Sequence, residues 1–288
     1  RLSDVYVDEY KQAFQKYENE KIAMDDMFHR VVMPEGCLWS DLREISVNVG
    51  GRLNGILSQV AQVNPVLDRV VNRTDFNDST QIPEERLIRI IELFSKHDLS
   101  NDNVSPDMLG EAYEYLLKKF NEVAPTRAGE FYTPREIVQV LVGCLKPEEG
   151  MTVYDPCVGS AGMLIESASY VENHGGDRKQ LFLFGQELND DTAAMAKMNM
   201  FLHDLEAEIE QGDTFVNPKF LVDGELRRFS LVIANPMWNQ KGFKQYQEDD
   251  QYGRFQYGVT TNSSADWGWI QHMLASLEDN GRMGIVLD

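Results

Sequence analysis

Short strand-like segments alternate with helical ones through residues 125–288, and this alternation limits the possible folds more than any other feature of the chain. The pattern predicts strands at 152–154, 181–184, 209–211, 229–234 and 283–287, with helices at 161–172, 191–203 and 265–277. Apolar strands that alternate with helices form a parallel sheet covered on both faces. The sequence therefore predicts an α/β fold with a doubly wound, Rossmann-like sheet.

Residues 1–124 lack this alternation and carry helical periodicity instead, for example through 87–94. Ser105 is a typical N-cap residue, and Pro106 after it is typical of the first turn of a helix. A loop that contains proline and glycine follows at 125–129. We therefore expect a helical N-terminal domain at 1–124 and a second domain at 125–288. The segment Thr133 to Glu136 predicts a capping box, with Pro134 at the first helical position.

The net charge of −20 limits what the chain can bind by itself. Acidic side chains outnumber basic ones in both predicted domains, whereas a protein that binds nucleic acid alone is usually basic. A role on nucleic acid would therefore need a basic partner or a local patch. Lys241, Lys244 and Arg254 are the candidates for such a patch.

The remaining composition favours a cytoplasmic protein without a metal centre. The three cysteines are widely spaced and odd in number, which is typical of reduced thiols, and the five histidines are scattered. We see no apolar leader and no segment long enough to span a bilayer. Because the chain stops directly after a predicted strand, we expect its sheet to lack the last strands.

Acidic residues stand at the ends of three successive predicted strands. Asp155 opens the segment DPCVGSAG, in which Gly159 and Gly162 allow a close backbone approach before a helix. Glu187 and Asp213 follow the next two strands. Taken singly, these residues are also compatible with a tight turn, a solvated loop carboxylate and a cap. Taken together, they match an adenosine with a cationic amino-acid tail, so we predict that the chain binds S-adenosylmethionine.

The fourth strand ends in Asn235-Pro236, followed by Met237-Trp238. An amide oxygen and a proline carbonyl are two acceptors for an exocyclic amine, and the fixed φ of proline holds its carbonyl in place. Such acceptors position the amine for methyl transfer without a general base. Trp238 is predicted either to stack on an extruded base or to pack in the core.

These motifs together resemble a known family. FYTP at 131–134, DPCVGSAG, GQE at 185–187, GDT at 212–214 and NPMW at 235–238 resemble the N6-adenine DNA methyltransferases, in particular the modification subunits of type I restriction–modification systems. The resemblance covers most of residues 105–288. It implies a Rossmann-like S-adenosylmethionine-dependent methyltransferase sheet with a helical N-terminal domain.

The resemblance also implies roles for single residues and partners for the chain. The methionine end of the cofactor would be lined by Phe131, Tyr132, Thr133 and Pro134. Its amino-acid part would lie at Asp155, Gly159 and Gly162, its ribose at Glu187 and its adenine amine at Asp213. The target adenine amine would meet Asn235 and Pro236, and its ring would meet Trp238. The implied partners are a DNA duplex with a flipped adenine, a DNA-specificity subunit and a restriction subunit.

Two positions depart from the family pattern and keep other functions open. Met237 replaces the usual second proline, which would rigidify residue 236, and Ala161 stands at a usual glycine position. One alternative is a glutamine methyltransferase that acts on protein, since such enzymes use Asn-Pro in the same way. Another is a cofactor-binding scaffold with impaired catalysis. A cytosine-N4 enzyme is less favoured, because those usually have Ser or Asp where Asn235 stands.

Overall fold

A computed structural model describes residues 1–100, 102–123 and 133–287. Internal contacts divide the chain into two compact units, Arg1–Leu109 and Gly110–Asp288. The domain boundary predicted at residue 124 lies outside the described residues and stays a prediction.

The first unit is helical throughout its described part, as predicted. Its helices are α1 (Leu2–Tyr17), α2 (Glu20–Ala23), α3 (Trp39–Arg43), α4 (Val49–Val63) and α5 (Glu84–Phe94), with short 3-10 turns at Asp26–Phe28 and Pro65–Leu67. Helix α5 is amphipathic and buries Leu87 and Ile91, which lie one turn apart on the same face. They pack with Leu42 and Val49 in the core of this unit.

Helix α6 (Pro106–Val123) begins where the sequence predicts a helix start. The hydroxyl oxygen of Ser105 accepts a hydrogen bond from the backbone N–H of Met108 at 3.2 Å. Ser105 therefore caps the helix and satisfies one of its first free N–H groups.

The described part of the second unit contains a five-stranded sheet in the order β3-β2-β1-β6-β7. The strands are β1 (Thr152–Asp155), β2 (Phe182–Glu187), β3 (Ala207–Gln211), β6 (Phe229–Ala234) and β7 (Leu277–Ile285). All neighbouring pairs in this sheet are parallel. A small antiparallel pair, β4 (Leu221–Val222) and β5 (Glu225–Leu226), lies outside it. The predicted doubly wound α/β fold is confirmed.

Alternating side chains of the central strands build a core on each face of the sheet. Val153, Leu183 and Ile233 belong to one buried cluster, and their chain neighbours Tyr154 and Phe184 belong to another. This follows from the two-residue period of a strand, which sends successive side chains to opposite faces. The central strands of the sheet are therefore buried on both faces.

Helices cover both faces of the sheet. The first cluster is covered by α7 (Arg135–Leu145), α8 (Gly162–Asn173) and α9 (Asp190–Leu202), and the second by α11 (Asp266–Ala275). A short helix, α10 (Lys244–Glu248), precedes α11. No helix in the described part of the chain is long and apolar enough to cross a membrane.

Two local predictions are wrong. Helix α7 begins at Arg135 with Pro134 as its N-cap and without a side-chain capping bond. The capping box fails because the hydroxyl of Thr133 bonds Asn235 instead of the helix backbone. Strand β7 begins at Leu277, six residues earlier than predicted, because an irregularity in its register lets Leu277 pair with Phe229.

Candidate active site

The candidate site lies at the carboxyl ends of β1 and β6, where the sheet order reverses direction. The chain proceeds from β1 to β2 and β3 on one side, and β6 and β7 lie on the other side of β1. In open α/β sheets, this switch point opens a crevice in which ligands bind. Asp155 is the last residue of β1, and Asn235 is the first residue after β6.

Asp155 ends β1 and is only 2% exposed. One of its carboxylate oxygens, Oδ1, accepts from the backbone N–H of Cys157 at 3.0 Å. Burial raises the pKa of Asp155 to about 7, and the nearby Glu187 adds to the rise. The same surroundings raise the pKa of the Cys157 thiol well above its ordinary value, so this thiol stays neutral. A cation bound nearby would favour the ionised form of Asp155.

The backbone of the turn after Asp155 is left-handed at two points. Gly159 has φ of 53°, and Ala161 has φ of 68° and forms the N-cap of α8. A left-handed alanine is uncommon, which explains why glycine is usual at this position. Gly162 is the first residue of α8, so the N-terminus of that helix opens directly behind the turn.

Glu187 joins the turn after β1 to the end of β2. Its Oε2 accepts from the backbone N–H of Gly159 at 3.0 Å, and its Oε1 accepts from the N–H of Asn189 at 2.9 Å. Burial raises its pKa. The sequence allowed a solvated loop carboxylate here, and this interpretation is wrong because Glu187 is buried. A carboxylate can accept about four hydrogen bonds, so Glu187 keeps acceptor capacity for a further donor.

Asp213 caps the turn that follows β3. Its Oδ1 accepts from the backbone N–H groups of Phe215 at 2.8 Å and Val216 at 3.1 Å. The capping role that the sequence allowed is therefore confirmed. Both bonds use the same oxygen, so the second oxygen remains an acceptor for a ligand amine.

Asn235 follows β6 directly, and its side chain is held by a single neighbour among the described residues. Its Nδ2 donates to the hydroxyl oxygen of Thr133 at 3.0 Å. With the nitrogen engaged in this way, Oδ1 is the free acceptor of the amide. Thr133 thus meets the residue predicted for catalysis, although the resemblance places it beside the cofactor.

Pro236 is buried, and Met237 and Trp238 are 47% and 43% exposed. Trp238 therefore does not pack in the core, and this alternative for its role is wrong. Its indole Nε1 donates to the carbonyl oxygen of Val286 at 3.2 Å, which fixes one edge of the ring and leaves much of the side chain at the surface. An aromatic ring held in this way can accept a stacking partner.

Two predicted site residues, Phe131 and Tyr132, lie outside the described residues, so their roles beside the cofactor stay predictions. Among the residues that the structure does describe, no group of three or more His, Cys, Asp or Glu side chains could hold a metal ion.

Sequence reasoning missed Gln186, which is fully buried next to Glu187. Its Nε2 donates to the carbonyl oxygens of Gly212 at 3.1 Å and Asn217 at 3.0 Å, and its Oε1 accepts from the N–H of Lys219 at 3.0 Å. Gln186 therefore holds the segment that carries Asp213. A glutamine inside an apolar strand was the available signal, because a buried amide needs partners.

The predicted phosphate contact at Arg254 is wrong. Arg254 is 2% exposed, and its guanidinium pairs with Asp250 at 2.7 Å, so it cannot reach DNA phosphates. Lys241 remains exposed, and Lys244 pairs with Glu248 at 3.2 Å.

Comparison with known proteins decides the family. A family model described as N-6 DNA Methylase matches residues 104–288. The chain belongs to the N-6 DNA methylase family. The chain is 32% identical to the type I restriction enzyme MjaVIII methylase subunit of Methanocaldococcus jannaschii, over 100% of this chain and 51% of that protein. It is 30% identical to the type I restriction enzyme HindI methylase subunit of Haemophilus influenzae, over 88% of this chain and 61% of that protein.

The chain also shares its fold with a solved structure. The methyltransferase subunit of a type I restriction-modification system from Streptococcus thermophilus superposes with a TM-score of 0.79 at 24% identity, covering 99% of this chain and 67% of that one. The match to the N-6 DNA Methylase model confirms the family that the motifs predict. The chain spans about half of the length of the MjaVIII subunit and 61% of the HindI subunit.

Proposed function

We propose that this methylase transfers a methyl group from S-adenosylmethionine to the exocyclic N6 amine of adenine in DNA, as the modification subunit of a type I restriction–modification complex. The observation that carries the proposal is the orientation of Asn235. Its amide nitrogen is engaged by Thr133, so its oxygen is left as an acceptor beside the carbonyl of Pro236, at the switch point of a methyltransferase-like sheet.

The two acceptors position the target amine. Asn235 Oδ1 and the carbonyl oxygen of Pro236 each accept one hydrogen of the adenine N6 amine, which directs the nitrogen lone pair out of the ring plane. S-adenosylmethionine, if bound, would supply an electrophilic methyl group to this lone pair, with S-adenosylhomocysteine as the leaving group. The amine then loses one proton to solvent, so no strong base is needed in the site.

The donor set at the strand ends fits the cofactor. Asp155 is buried with a pKa of about 7, and a neighbouring ammonium group would favour its ionised form. Glu187 retains acceptor capacity for ribose hydroxyls, and the second oxygen of Asp213 can accept from the adenine amine. All three groups suit a cationic nucleoside better than a phosphate, which they would repel.

The exposed Trp238 suits an extruded base. Adenine must leave the duplex before its amine can reach a site between strand ends, and aromatic side chains commonly stack on flipped bases. Trp238 follows Asn235 closely along the chain, and its indole N–H is already anchored on Val286. The ring therefore lies near the acceptors without occupying the core.

The proposed partners follow from charge and from the relatives. The net charge of −20 disfavours unaided binding to DNA, and Arg254 offers no phosphate contact. Relatives of the chain are described as methylase subunits of type I restriction enzymes. We therefore propose a basic DNA-specificity subunit as the partner that reads the sequence, with a restriction subunit in the larger complex.

Transfer of labelled methyl groups tests the proposal. The methylase is incubated with labelled S-adenosylmethionine and plasmid DNA, with and without the neighbouring specificity subunit, and the labelled nucleoside is identified. N6-methyladenine formed with the partner supports the proposal. Labelled glutamine in added protein substrates would favour the protein methyltransferase, and N4-methylcytosine a cytosine enzyme.

Cofactor binding is tested separately by calorimetry. We expect Asp155→Ala and Glu187→Ala each to weaken binding by about 1–3 kcal/mol, as for a lost partner of a charged hydrogen bond. Cofactor binding by the wild-type chain without methyl transfer to any substrate would favour the cofactor-binding scaffold with impaired catalysis. Met237, which replaces the usual second proline, permits that alternative. Undiminished binding in both variants would contradict the assigned cofactor site.

A further inference from the structure

Arg254 is built into the interior of the second unit. Its Nη1 donates to the carbonyl oxygen of Thr214 at 2.8 Å, and its Nη2 donates to that of Phe215 at 2.6 Å. Its Nε donates to Asp250 at 2.7 Å. A buried guanidinium is costly unless its charge and its N–H groups are matched, and here a carboxylate and two carbonyls match them. The position of this side chain is therefore tightly defined.

The two carbonyls belong to the turn that Asp213 caps. Asp213 Oδ1 accepts from the N–H of Phe215, whose carbonyl oxygen accepts from Arg254. The carboxylate of Asp213 and the guanidinium of Arg254 therefore both bond the backbone of Phe215, the first at its N–H and the second at its carbonyl oxygen. A shift of the carbonyls of Thr214 and Phe215 would carry the carboxylate of Asp213 with it.

Other anchors on this turn come from elsewhere in the sheet. Gln186, in β2, bonds the carbonyls of Gly212 and Asn217, and the hydroxyl of Thr214 donates to the carbonyl oxygen of Pro156 at 2.6 Å. Arg254 comes from a different part of the chain, the segment between Asn235 and α11. It therefore joins the segment that follows the proposed catalytic residues to the proposed adenine site.

We infer that Arg254 is a positioning residue that sets the specificity of the cofactor site for an amine-bearing purine. By fixing the turn at 213–216, it keeps one oxygen of Asp213 directed at the exocyclic amine of the cofactor adenine. A purine with a carbonyl oxygen at that position is rejected, because two acceptors would face each other. The inference rests on the proposed function, in which Asp213 reads the cofactor base.

The test compares two ligands that differ at this position of the base and at the neighbouring N1, which accepts a hydrogen bond in adenine and donates one in hypoxanthine. Calorimetry gives the Kd of S-adenosylhomocysteine and of S-inosylhomocysteine, in which a carbonyl oxygen replaces the amine. We expect the wild-type chain to prefer the adenosine ligand by about a hundredfold or more. In Arg254→Met this ratio of Kd values should fall by about tenfold, since the carboxylate is no longer held in place.

The ratio of the two Kd values distinguishes a positioning role of Arg254 from a general loss of folded protein. A variant that is merely less folded loses affinity for both ligands by the same factor, so its ratio is unchanged. Arg254→Lys serves if the Met variant fails to fold, because an ammonium cannot span two carbonyls and a carboxylate as a guanidinium does, and it should also lower the ratio. Arg228→Met is the matched control, because Arg228 is exposed and pairs with the exposed Asp279.

A double-variant cycle completes the test. Asp213→Asn should abolish the preference by itself, and adding Arg254→Met should change the ratio no further. If the wild-type chain binds neither ligand, the proposed function fails. If it prefers the adenosine ligand and both Arg254 variants keep the wild-type ratio, the proposed function stands and the inference about Arg254 is overturned. A wild-type chain that binds both ligands equally also overturns it.

Discussion

The side-chain amide of Asn235 donates from Nδ2 to the hydroxyl oxygen of Thr133 at 3.0 Å. The two residues lie 102 positions apart in the chain, one before α7 and one after β6. Without this bond, the amide could rotate and present either its nitrogen or its oxygen to a substrate amine. In this arrangement the Thr133 hydroxyl accepts from the amide nitrogen, which leaves Oδ1 of Asn235 as the acceptor for a substrate amine.

Replacing Thr133 with valine should reduce turnover while leaving cofactor affinity nearly unchanged. Valine keeps the shape of threonine but removes the hydroxyl acceptor, so the amide loses its orientation. We expect kcat for DNA methylation in the assembled complex to fall by about tenfold, which corresponds to about 1.4 kcal/mol. Thr133→Ser should retain activity, and Thr261→Val, at an exposed position, is the control. A weaker Kd for S-adenosylmethionine with unchanged kcat would instead support the role beside the cofactor.

Asn235→Ala should abolish methyl transfer while leaving cofactor binding and the melting temperature close to wild type. The amide makes one side-chain hydrogen bond in the described structure and is only partly buried, so its loss costs little folding free energy. The assay is incorporation of labelled methyl groups into DNA, with calorimetry and thermal unfolding in parallel. A large drop in melting temperature would mean that Asn235 is a structural amide.

Asp155 should make the stability of the chain fall as pH rises. Its pKa is about 7 in the folded protein against an ordinary 3.8, so the folded state holds a proton that the unfolded state has lost between these values. The folded state is therefore penalised increasingly from about pH 4 to about pH 7, by roughly 4 kcal/mol at most. Asp155→Asn removes this penalty, and its advantage in free energy of unfolding over wild type should grow between pH 5 and pH 8.

Urea unfolding at several pH values measures the advantage of Asp155→Asn. Asp223→Asn is the control, because Asp223 lies at an exposed turn between β4 and β5. Its difference from wild type should not change over the same range. An Asp155→Asn advantage that is constant with pH would show that the carboxyl titrates normally.

The succession of strands and helices along the chain and the residues at the strand ends could be predicted, because both follow from local patterns. Apolar strand segments and intervening helices are visible in the sequence, and parallel strands bring their carboxyl ends to one edge. Asp155, Glu187 and Asn235 could therefore be placed at one edge of the sheet from the sequence alone.

The contacts that orient those residues could not be predicted. Thr133 and Asn235, or Arg254 and Thr214, are far apart in the chain, and no local pattern specifies which pairs meet. Arg254 was misassigned for the same reason, since an arginine in a polar segment gives no sign of being buried. Burial depends on the packed tertiary structure, which a one-dimensional pattern of charge does not contain.

Met237→Pro should keep or raise activity. A proline at 237 restricts the backbone of residue 236 and fixes the carbonyl that we propose as an acceptor. Met237 is 47% exposed, so the substitution removes little packing, and a compatible proline adds about 0.4–1 kcal/mol of stability. The measurement is kcat with the specificity subunit, and Met237→Ala controls for loss of the side chain. Lower activity for the proline variant than for the alanine variant would show that residue 236 must remain adaptable.

The isolated chain should bind duplex DNA weakly and without sequence preference. Its net charge is −20, and of the three basic residues predicted near the site, Arg254 is buried and Lys244 is paired with Glu248. So few phosphate contacts leave the affinity in the non-specific range of about 10⁻⁴–10⁻⁶ M, while flipping a base costs a few kcal/mol more.

Gel shifts on random duplexes and on duplexes from its own operon, at fixed salt, measure this affinity. Lys241→Ala should weaken the residual binding equally on both kinds of duplex, because a phosphate contact carries no sequence information. Sequence-selective binding by the chain alone, at nanomolar Kd in order of magnitude, would mean that it reads DNA without a specificity subunit.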